Sequence, residues 1–137
     1  MRPVRILVVD DHEPWRQHVC SMLNTRAELK VVGEASDGLE AVHIAEELKP
    51  DLILLDIGLP TLNGIEAARQ IRKSIPESKI IFVSQESSPD VVQEALRSGA
   101  CGYVVKNKIQ RDLLAAVNAV LERRQFVSTG LSRLARH

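Results

Sequence analysis

Four short, largely apolar runs divide the chain, and each ends on a polar residue. They occupy residues 4–9, 52–55, 80–83 and 103–105, and the polar residues that follow are Asp10 with Asp11, then Asp56, Ser84 and Lys106. These runs lack the polar–apolar alternation of a strand with one solvated face. Continuous Val, Ile and Leu are typical of strands covered on both faces, as in a parallel sheet. Residues 29–35 alternate more, which predicts an edge strand.

Apolar residues recur at helical spacing between these runs. The first such pattern places Trp15, Val19, Met22 and Leu23 on one face, with Pro14 at the first helical position. Four similar patterns lie at residues 41–48, 65–75, 92–96 and 109–121, and the residues that open the first three of them are Ser36 or Asp37, Asn63 with Gly64, and Pro89. A strand followed by a helix, five times over, predicts an α/β fold. We expect a doubly wound, five-stranded parallel sheet in the flavodoxin-like order 2-1-3-4-5, with five helices.

Composition and length fit this architecture and indicate where in the cell the protein works. The chain has 137 residues, which suits one domain, and aromatic residues make up only 3%, so the core must be aliphatic. No apolar run approaches the ~18 residues of a membrane span, and the N-terminus lacks a signal-peptide pattern. Cys20 and Cys101 have no metal-like spacing. We therefore expect a cytoplasmic protein with two reduced thiols and no membrane contact.

Charge is unevenly distributed although the net charge is zero. Residues 1–122 hold 14 Lys and Arg against 18 Asp and Glu, whereas residues 123–137 hold four Arg and no acid. An acidic body argues against nucleic-acid binding by this domain itself. Two interpretations of the basic tail stay open: contact with nucleic acid, or a solvated helix end followed by the start of a linker.

The polar residues at the strand ends form the candidate site. Parallel strands place their carboxyl ends at one edge of a doubly wound sheet, and ligands bind where the strand order reverses. Taken singly, an aspartate here is an ordinary helix cap or loop residue, and a serine or lysine is ordinary surface. Their joint occurrence at four strand ends favours a shared site. Three carboxylates, a hydroxyl and an ammonium suit magnesium-assisted phosphoryl transfer.

These residues resemble the receiver domain of bacterial two-component response regulators over roughly residues 4–123. The matching segments are residues 8–12, 54–60 with 63–64, 83–84 and 102–106, and all occur in the family's order and spacing. Residues 11–14 and 126–128 look like the subfamily whose receivers usually precede a helix-turn-helix DNA-binding domain.

The resemblance implies a magnesium site. Asp11 and Asp56 would ligate Mg²⁺ together with the backbone carbonyl of Gly58, and Asp10 would act mainly through a metal-bound water. Asp56 would be the phosphoacceptor, in an in-line attack on the phosphohistidine of a sensor histidine kinase.

The resemblance also implies a switch. Lys106 would contact the phosphoryl oxygens, Ser84 would hydrogen-bond the phosphoryl group after transfer, and Tyr103 would change its exposure in concert. The protein would catalyse its own phosphorylation and dephosphorylation, and would not turn over an external substrate. Three departures bear on rates or local geometry: Asn107 stands where many receivers have Pro, Gln85 is larger than usual, and Gly58 offers no side chain over the acids.

The implied organisation is a receiver at residues 1–123, then a helix end and the start of a linker at 124–137. We expect a chain truncated before a DNA-binding domain, so that transcription would be controlled, and DNA contacted, only through that absent part. A free-standing receiver that acts as a relay or adaptor stays open as the alternative. A homodimer on phosphorylation would use the fifth helix and its neighbours.

Other functions fit less well. Residues 33–38 have P-loop glycine spacing, but Leu39-Glu40 follows instead of Lys-Ser/Thr. A phosphatase with an aspartyl nucleophile would carry a second aspartate two residues after the first, and position 12 is His. The alternative that stays open is a receiver-like interaction module that acts without phosphorylation.

Overall fold

The structure is a computed structural model that describes residues 2–128. The strands are β1 (Val4–Val9), β2 (Leu29–Ala35), β3 (Leu52–Leu55), β4 (Lys79–Ser84), β5 (Gly102–Val105) and β6 (Phe126–Val127). The helices are α1 (Glu13–Leu23), α2 (Gly38–Leu48), α3 (Gly64–Ser74), α4 (Pro89–Arg97) and α5 (Ile109–Leu121). A single 3-10 turn at Lys106–Lys108 separates β5 from α5.

Every strand pairs in parallel with its neighbours, in the order β2-β1-β3-β4-β5-β6. This confirms the predicted doubly wound order and the edge position of β2. The sheet has one strand more than the five expected, since Phe126 and Val127 pair with Gly102 and Tyr103. Two residues are too few to give a hydrophobic period, so β6 left no readable pattern in a segment that we expected to be a helix end and linker.

Local sequence explains where the helices begin. Asp37 caps α2 by accepting a hydrogen bond from the Glu40 amide at 2.8 Å, which decides between the two caps considered for this helix. Asn63 caps α3 in the same way, with 3.0 Å to the Glu66 amide. Each cap satisfies one of the amides that a helix leaves unpaired at its first turn. The α3 cap matters for the site because α3 begins directly after the loop that follows β3.

Side chains that alternate along the strands enter two different cores. In β1, Leu7 and Val9 pack with buried residues of α2 and α3, such as Ala41 and Ile65. The alternate β1 residues pack with α1 and α5 instead, together with the alternate residues of β3 and β4. Helices therefore cover both faces of the sheet, as the continuous apolar runs predicted. This leaves the ends of the strands as the place where polar groups can gather.

Both cysteines are free thiols, with Cys20 buried and Cys101 partly exposed. Burial, followed by the nearby charge of Glu34, raises the pKa of the Cys20 thiol. Among residues 2–128, no helix combines the length and the apolar character needed to cross a bilayer.

Candidate functional site

The carboxyl edge of the sheet brings together the residues predicted from the strand ends. The amide of Asp10 donates to the Ala35 carbonyl at 3.1 Å, and the amide of Asp56 donates to the Val9 carbonyl at 3.1 Å. These bonds extend the sheet pairing by one residue and fix the backbone beneath both carboxylates. The order of strands reverses at β1, which lies between β2 and β3. Asp10 and Asp56 therefore sit at the switch point where doubly wound folds bind ligands.

Three carboxylates meet at this point. One oxygen from each of Asp10, Asp11 and Asp56 lies within 4.8 Å of the others, which is close enough to share a metal ion. Asp10 and Asp56 are buried, and Asp11 is exposed at the rim. A cluster of hard carboxylate oxygens with one open side fits Mg²⁺, which takes oxygen ligands and keeps several waters.

Lys106 supplies the positive charge inside the cluster. Its Nζ lies 2.7 Å from Asp10 Oδ2 and 3.1 Å from Asp56 Oδ2, and the side chain is almost fully buried. Burial alone would lower the pKa of Lys106, but the hydrogen bond to Asp10 and the charge of Asp56 outweigh it and raise the pKa. The ammonium therefore stays charged at neutral pH and cancels one of three negative charges.

Backbone amides hold the carboxylate oxygens that face away from Lys106. Asp10 Oδ1 accepts from the His12 amide at 2.9 Å, and Asp56 Oδ1 accepts from the Ile57 amide at 2.7 Å. Each buried carboxylate thus has one oxygen on a backbone N–H and the other on Lys106. This arrangement fixes the orientation of both carboxylates before any ligand arrives.

A cavity of about 410 Å³ opens above the carboxylates. Its wall is formed by residues at the carboxyl ends of four strands and by Trp15 of α1: Asp11, His12, Trp15, Asp56, Ile57, Gly58, Ser84, Gln85, Glu86 and Lys106. A Cβ added to Gly58 would meet nothing within 4 Å, so the absence of a side chain leaves this side of the cavity open. Gln85, which is larger than the residue usual at its position, also lines the cavity.

Tyr103 and Ser84 connect to the loop that follows β4. The hydroxyl of the buried Tyr103 donates to the Glu86 carbonyl at 2.6 Å, and Ser84 Oγ accepts from the Glu86 amide at 3.2 Å. Burial raises the pKa of Tyr103 to about 12, with a hydrogen bond to Ser84 acting in the opposite direction. Ser84 lines the cavity and Tyr103 does not, but both residues hydrogen-bond the backbone of Glu86.

The family model of the response regulator receiver domain matches residues 6–118. The chain belongs to this family. The family confirms the resemblance drawn from the strand-end motifs. Response regulators of two-component systems are signalling proteins, and the observed fold and acid cluster are those of a receiver domain.

Curated relatives of this receiver domain are longer than the chain itself. It is 37% identical over 115 residues to the response regulator protein VraR of Staphylococcus saprophyticus, covering 84% of this chain and 55% of that protein. The chain thus spans about half the length of the curated relatives it matches. A LuxR-family two-component response regulator from Aurantimonas sp. SI85-9A1 superposes with a TM-score of 0.92 at 32% identity, over 98% of this chain and 96% of that chain.

A more distant structure shares the fold alone. RcsB from Salmonella enterica serovar Typhimurium, bound to promoter P1flhDC in the presence of the phosphomimetic BeF3⁻, gives a TM-score of 0.90 at 22% identity. The match covers 98% of this chain and 67% of that chain.

Trp15 is the part of this receiver site that sequence reasoning placed elsewhere. Its spacing with Val19 predicted a packing role, and the ring does pack on the core face of α1. The same ring also lines the cavity, with Lys106 Nζ 5.3 Å from its centroid. A cation held over an indole face is stabilised by the ring quadrupole. The available signal was its position, four residues after Asp11, in the first turn of the helix that starts at the acidic edge.

Proposed function

We propose that this receiver domain accepts a phosphoryl group on Asp56 from the phosphohistidine of a sensor histidine kinase, in a magnesium-dependent reaction. The observation that supports this most strongly is the position of the Asp56 carboxylate. It lies buried in a cluster with two other acids and Lys106, at the floor of a cavity that opens to solvent. An isolated structural carboxylate would need neither the extra acids nor the opening.

The residues present would hold the metal in a defined way. Asp11 and Asp56 would be direct ligands with the backbone carbonyl of Gly58, and Asp10 would act mainly through a metal-bound water. When bound, Mg²⁺ supplies charge neutralisation at the phosphoryl oxygens and orients them for in-line transfer. Lys106 already neutralises part of the acid charge, so a dianionic phosphoryl group would enter a site that repels it less.

The proposed reaction is a simple exchange of bonds. An oxygen of Asp56 attacks phosphorus, the new bond is an acyl phosphate, and the phosphorus–nitrogen bond of the phosphohistidine breaks. The electron pair of that bond returns to the departing imidazole. Because the carboxylate is already ionised, no base is needed, and catalysis consists of positioning and electrostatics. Water attack on the same phosphorus would release inorganic phosphate and return Asp56 to its carboxylate. The domain would thereby limit the lifetime of its own phosphorylated state.

Ser84 and Tyr103 would carry the signal away from Asp56. Ser84 lines the cavity, and its hydroxyl would hydrogen-bond the new phosphoryl oxygens, which Lys106 would also contact. Ser84 and Tyr103 are both bonded to Glu86, so a shift of Ser84 toward the phosphoryl group would move the loop that Tyr103 supports. Coupling of this kind between two positions is typically worth about 1–3 kcal/mol.

The output would lie in the part of a longer protein that this chain does not span. Phosphorylation would control transcription through a C-terminal DNA-binding domain, and a homodimer formed through α5 and its neighbours would present two such domains. The acidic body of residues 1–122 fits a regulatory unit that does not itself contact DNA.

The test is transfer from a small donor. The protein is incubated with Mg²⁺ and acetyl phosphate and analysed by intact mass, with Asp56→Asn as the loss variant. Asp90→Asn is the matched control, because Asp90 is an exposed acid in the first turn of α4. We expect one acid-stable, base-labile phosphoryl adduct in the wild type and in Asp90→Asn, and none in Asp56→Asn or in EDTA. An unmodified wild type, or an adduct that persists in Asp56→Asn, would instead support an interaction module that acts without phosphorylation.

A further inference from the structure

Ser128, the last residue that the structure describes, is fully buried beside β5. Its amide donates to the Tyr103 carbonyl at 2.9 Å, and its Oγ accepts from the Val105 amide at 3.0 Å. The paired residues of β6 face only Gly102 and Tyr103. The Ser128 hydroxyl therefore continues the hydrogen bonding of β5 to a residue that backbone pairing with β6 does not reach.

The same hydroxyl connects the strand to α5. Asp112 is almost fully buried on α5, and its Oδ1 accepts from Arg111 Nε at 2.9 Å. Burial would raise the pKa of Asp112, but hydrogen bonds from Arg111 and then Ser128 outweigh it, so the pKa is lowered. Ser128 thus stabilises the ionised carboxylate of Asp112 on α5, while its Oγ accepts from the Val105 amide of β5.

These contacts lie next to the residues that hold the phosphoryl site together. Val105 directly precedes Lys106, whose Nζ contacts both buried acids. Tyr103, bonded through its carbonyl to Ser128, uses its hydroxyl to hold the loop after β4. The chain continues beyond Ser128 to His137.

We propose that Ser128 is a positioning residue for Lys106, acting through Val105, and that it couples the phosphoryl site to the chain that follows. This rests on the proposed function, since Lys106 matters here as a phosphoryl contact. Ser128 fixes the end of β5, and this positions Lys106 so that its Nζ contacts the carboxylates of Asp10 and Asp56. Linkage then works in both directions: a phosphoryl group that engages Lys106 also stabilises the docking of Ser128.

The experiment measures beryllofluoride binding, with Mg²⁺ present, to the full chain and its variants. Beryllofluoride stands in for the phosphoryl group, and emission of Trp15, the single tryptophan, reports on the cavity that it lines. Ser128→Ala removes the hydroxyl that accepts from the Val105 amide, and Ser128→Thr retains it. Val127→Ala is the matched control, because it trims a half-buried side chain of β6 next to Ser128 and leaves every Ser128 bond in place.

We expect Ser128→Ala to weaken beryllofluoride affinity by about fivefold or more, and Ser128→Thr to restore most of it. Val127→Ala should bind as the wild type does. Amide exchange at Val105 should accelerate in Ser128→Ala, which shows that the bond was removed. Conversely, beryllofluoride should slow exchange of the Ser128 amide in the wild type. Should Ser128→Ala fail to fold, the nearly isosteric Ser128→Cys serves in its place, since a thiol is a weak hydrogen-bonding group.

Two negative results are distinguishable. If Val105 loses protection in Ser128→Ala while beryllofluoride affinity stays within about twofold of the wild type, Ser128 is purely structural and the positioning role is overturned. If the wild type itself binds no beryllofluoride with Mg²⁺, the proposed phosphorylation fails, and this inference fails with it.

Discussion

Lys106 determines the charge balance at the carboxyl edge of the sheet. Its ammonium contacts Asp10 and Asp56 and lies near the Trp15 ring, so it is surrounded by groups that favour a cation. The same contacts give it two opposite effects. It competes with Mg²⁺ for the acids, and it would stabilise the phosphoryl oxygens during transfer.

Lys106→Met should separate these two effects. Without the ammonium, the three carboxylates hold Mg²⁺ more tightly, on the order of tenfold, because a nearby positive charge has been removed. Phosphoryl transfer from acetyl phosphate should nevertheless slow by roughly 10²–10³-fold, the usual cost of losing one preorganised electrostatic contact. Trp15 emission measures the first effect and intact mass the second. Lys79→Met, at the opposite end of β4, should change neither; a parallel fall in Mg²⁺ affinity and rate would contradict the two roles.

Tyr103 carries an ionisable hydroxyl into the core between β5 and the loop after β4. Burial raises its pKa to about 12, so the folded protein favours the protonated phenol. The stability that follows from this is fully present below the ordinary tyrosine pKa near 10 and is lost as the pH rises toward about 12.

Tyr103→Phe should therefore abolish the part of the stability loss at high pH that comes from ionisation of the Tyr103 phenol. The variant loses the hydrogen bond to Glu86, so at pH 7 it should be less stable by about 1 kcal/mol. Between pH 10 and about 12 the difference in free energy of unfolding between the two proteins should become smaller. Only the wild type has the Tyr103 phenol, which ionises more readily in the unfolded chain than in the folded protein, so only the wild type loses stability on this account. Urea unfolding at a series of pH values measures this. Lys106 titrates in both proteins and cancels in the comparison. A gap that stays constant up to pH 12 would contradict the raised pKa of Tyr103.

At the scale of elements, the loop from β3 to α3 depends on one close backbone approach. A Cβ at Gly64 would lie 1.9 Å from the carbonyl oxygen of Asp56, and the Gly64 amide donates to the Ile57 carbonyl at 2.7 Å. Only glycine lets α3 begin this close to the strand end. The tight turn thereby helps to fix the backbone that carries the Asp56 carboxylate.

Gly64→Ala should force that turn apart, and Gly58→Ala should not. We expect Gly64→Ala to lower the free energy of unfolding by about 1–3 kcal/mol, as overpacking does, and to slow phosphorylation because Asp56 moves. Gly58→Ala is the matched control for stability, since its Cβ meets nothing within 4 Å. Urea unfolding compares the two variants, and acetyl phosphate reactivity is measured for Gly64→Ala against the wild type. Equal losses of unfolding free energy in the two variants would show that close approach at Gly64 is not what matters.

The elements differ in how clearly the sequence predicted them. The strands that end on Asp10, Asp56 and Ser84 were readable because buried parallel strands require continuous apolar runs, and those runs fixed the site residues as well. β6 was not readable, since a strand of two residues, Phe126 and Val127, is too short to give a hydrophobic period. The cavity position of Trp15 was also missed, because a helix-face period cannot separate a core residue from one at the core's polar margin.

At the scale of the whole molecule, the order of the strands brings the site residues together. Asp10 and Asp56 are 46 residues apart along the chain, and parallel pairing of β1 with β3 places them side by side. Pairing of β4 with β5 brings Ser84 opposite Val105, just before Lys106. No local motif could create this site, which explains why the separate motifs were weak signals and their order and spacing a strong one.

The measurement that tests the account most directly is a crystal structure of the protein with Mn²⁺ in place of Mg²⁺ and with beryllofluoride. We predict one anomalous peak about 2 Å from oxygens of Asp11, Asp56 and the Gly58 carbonyl. Beryllofluoride should be bound to Asp56 and contacted by Lys106 and Ser84. Metal bound away from these oxygens, or beryllofluoride absent from Asp56 at saturating concentration, would contradict the proposal that these strand ends form a phosphoryl-accepting site.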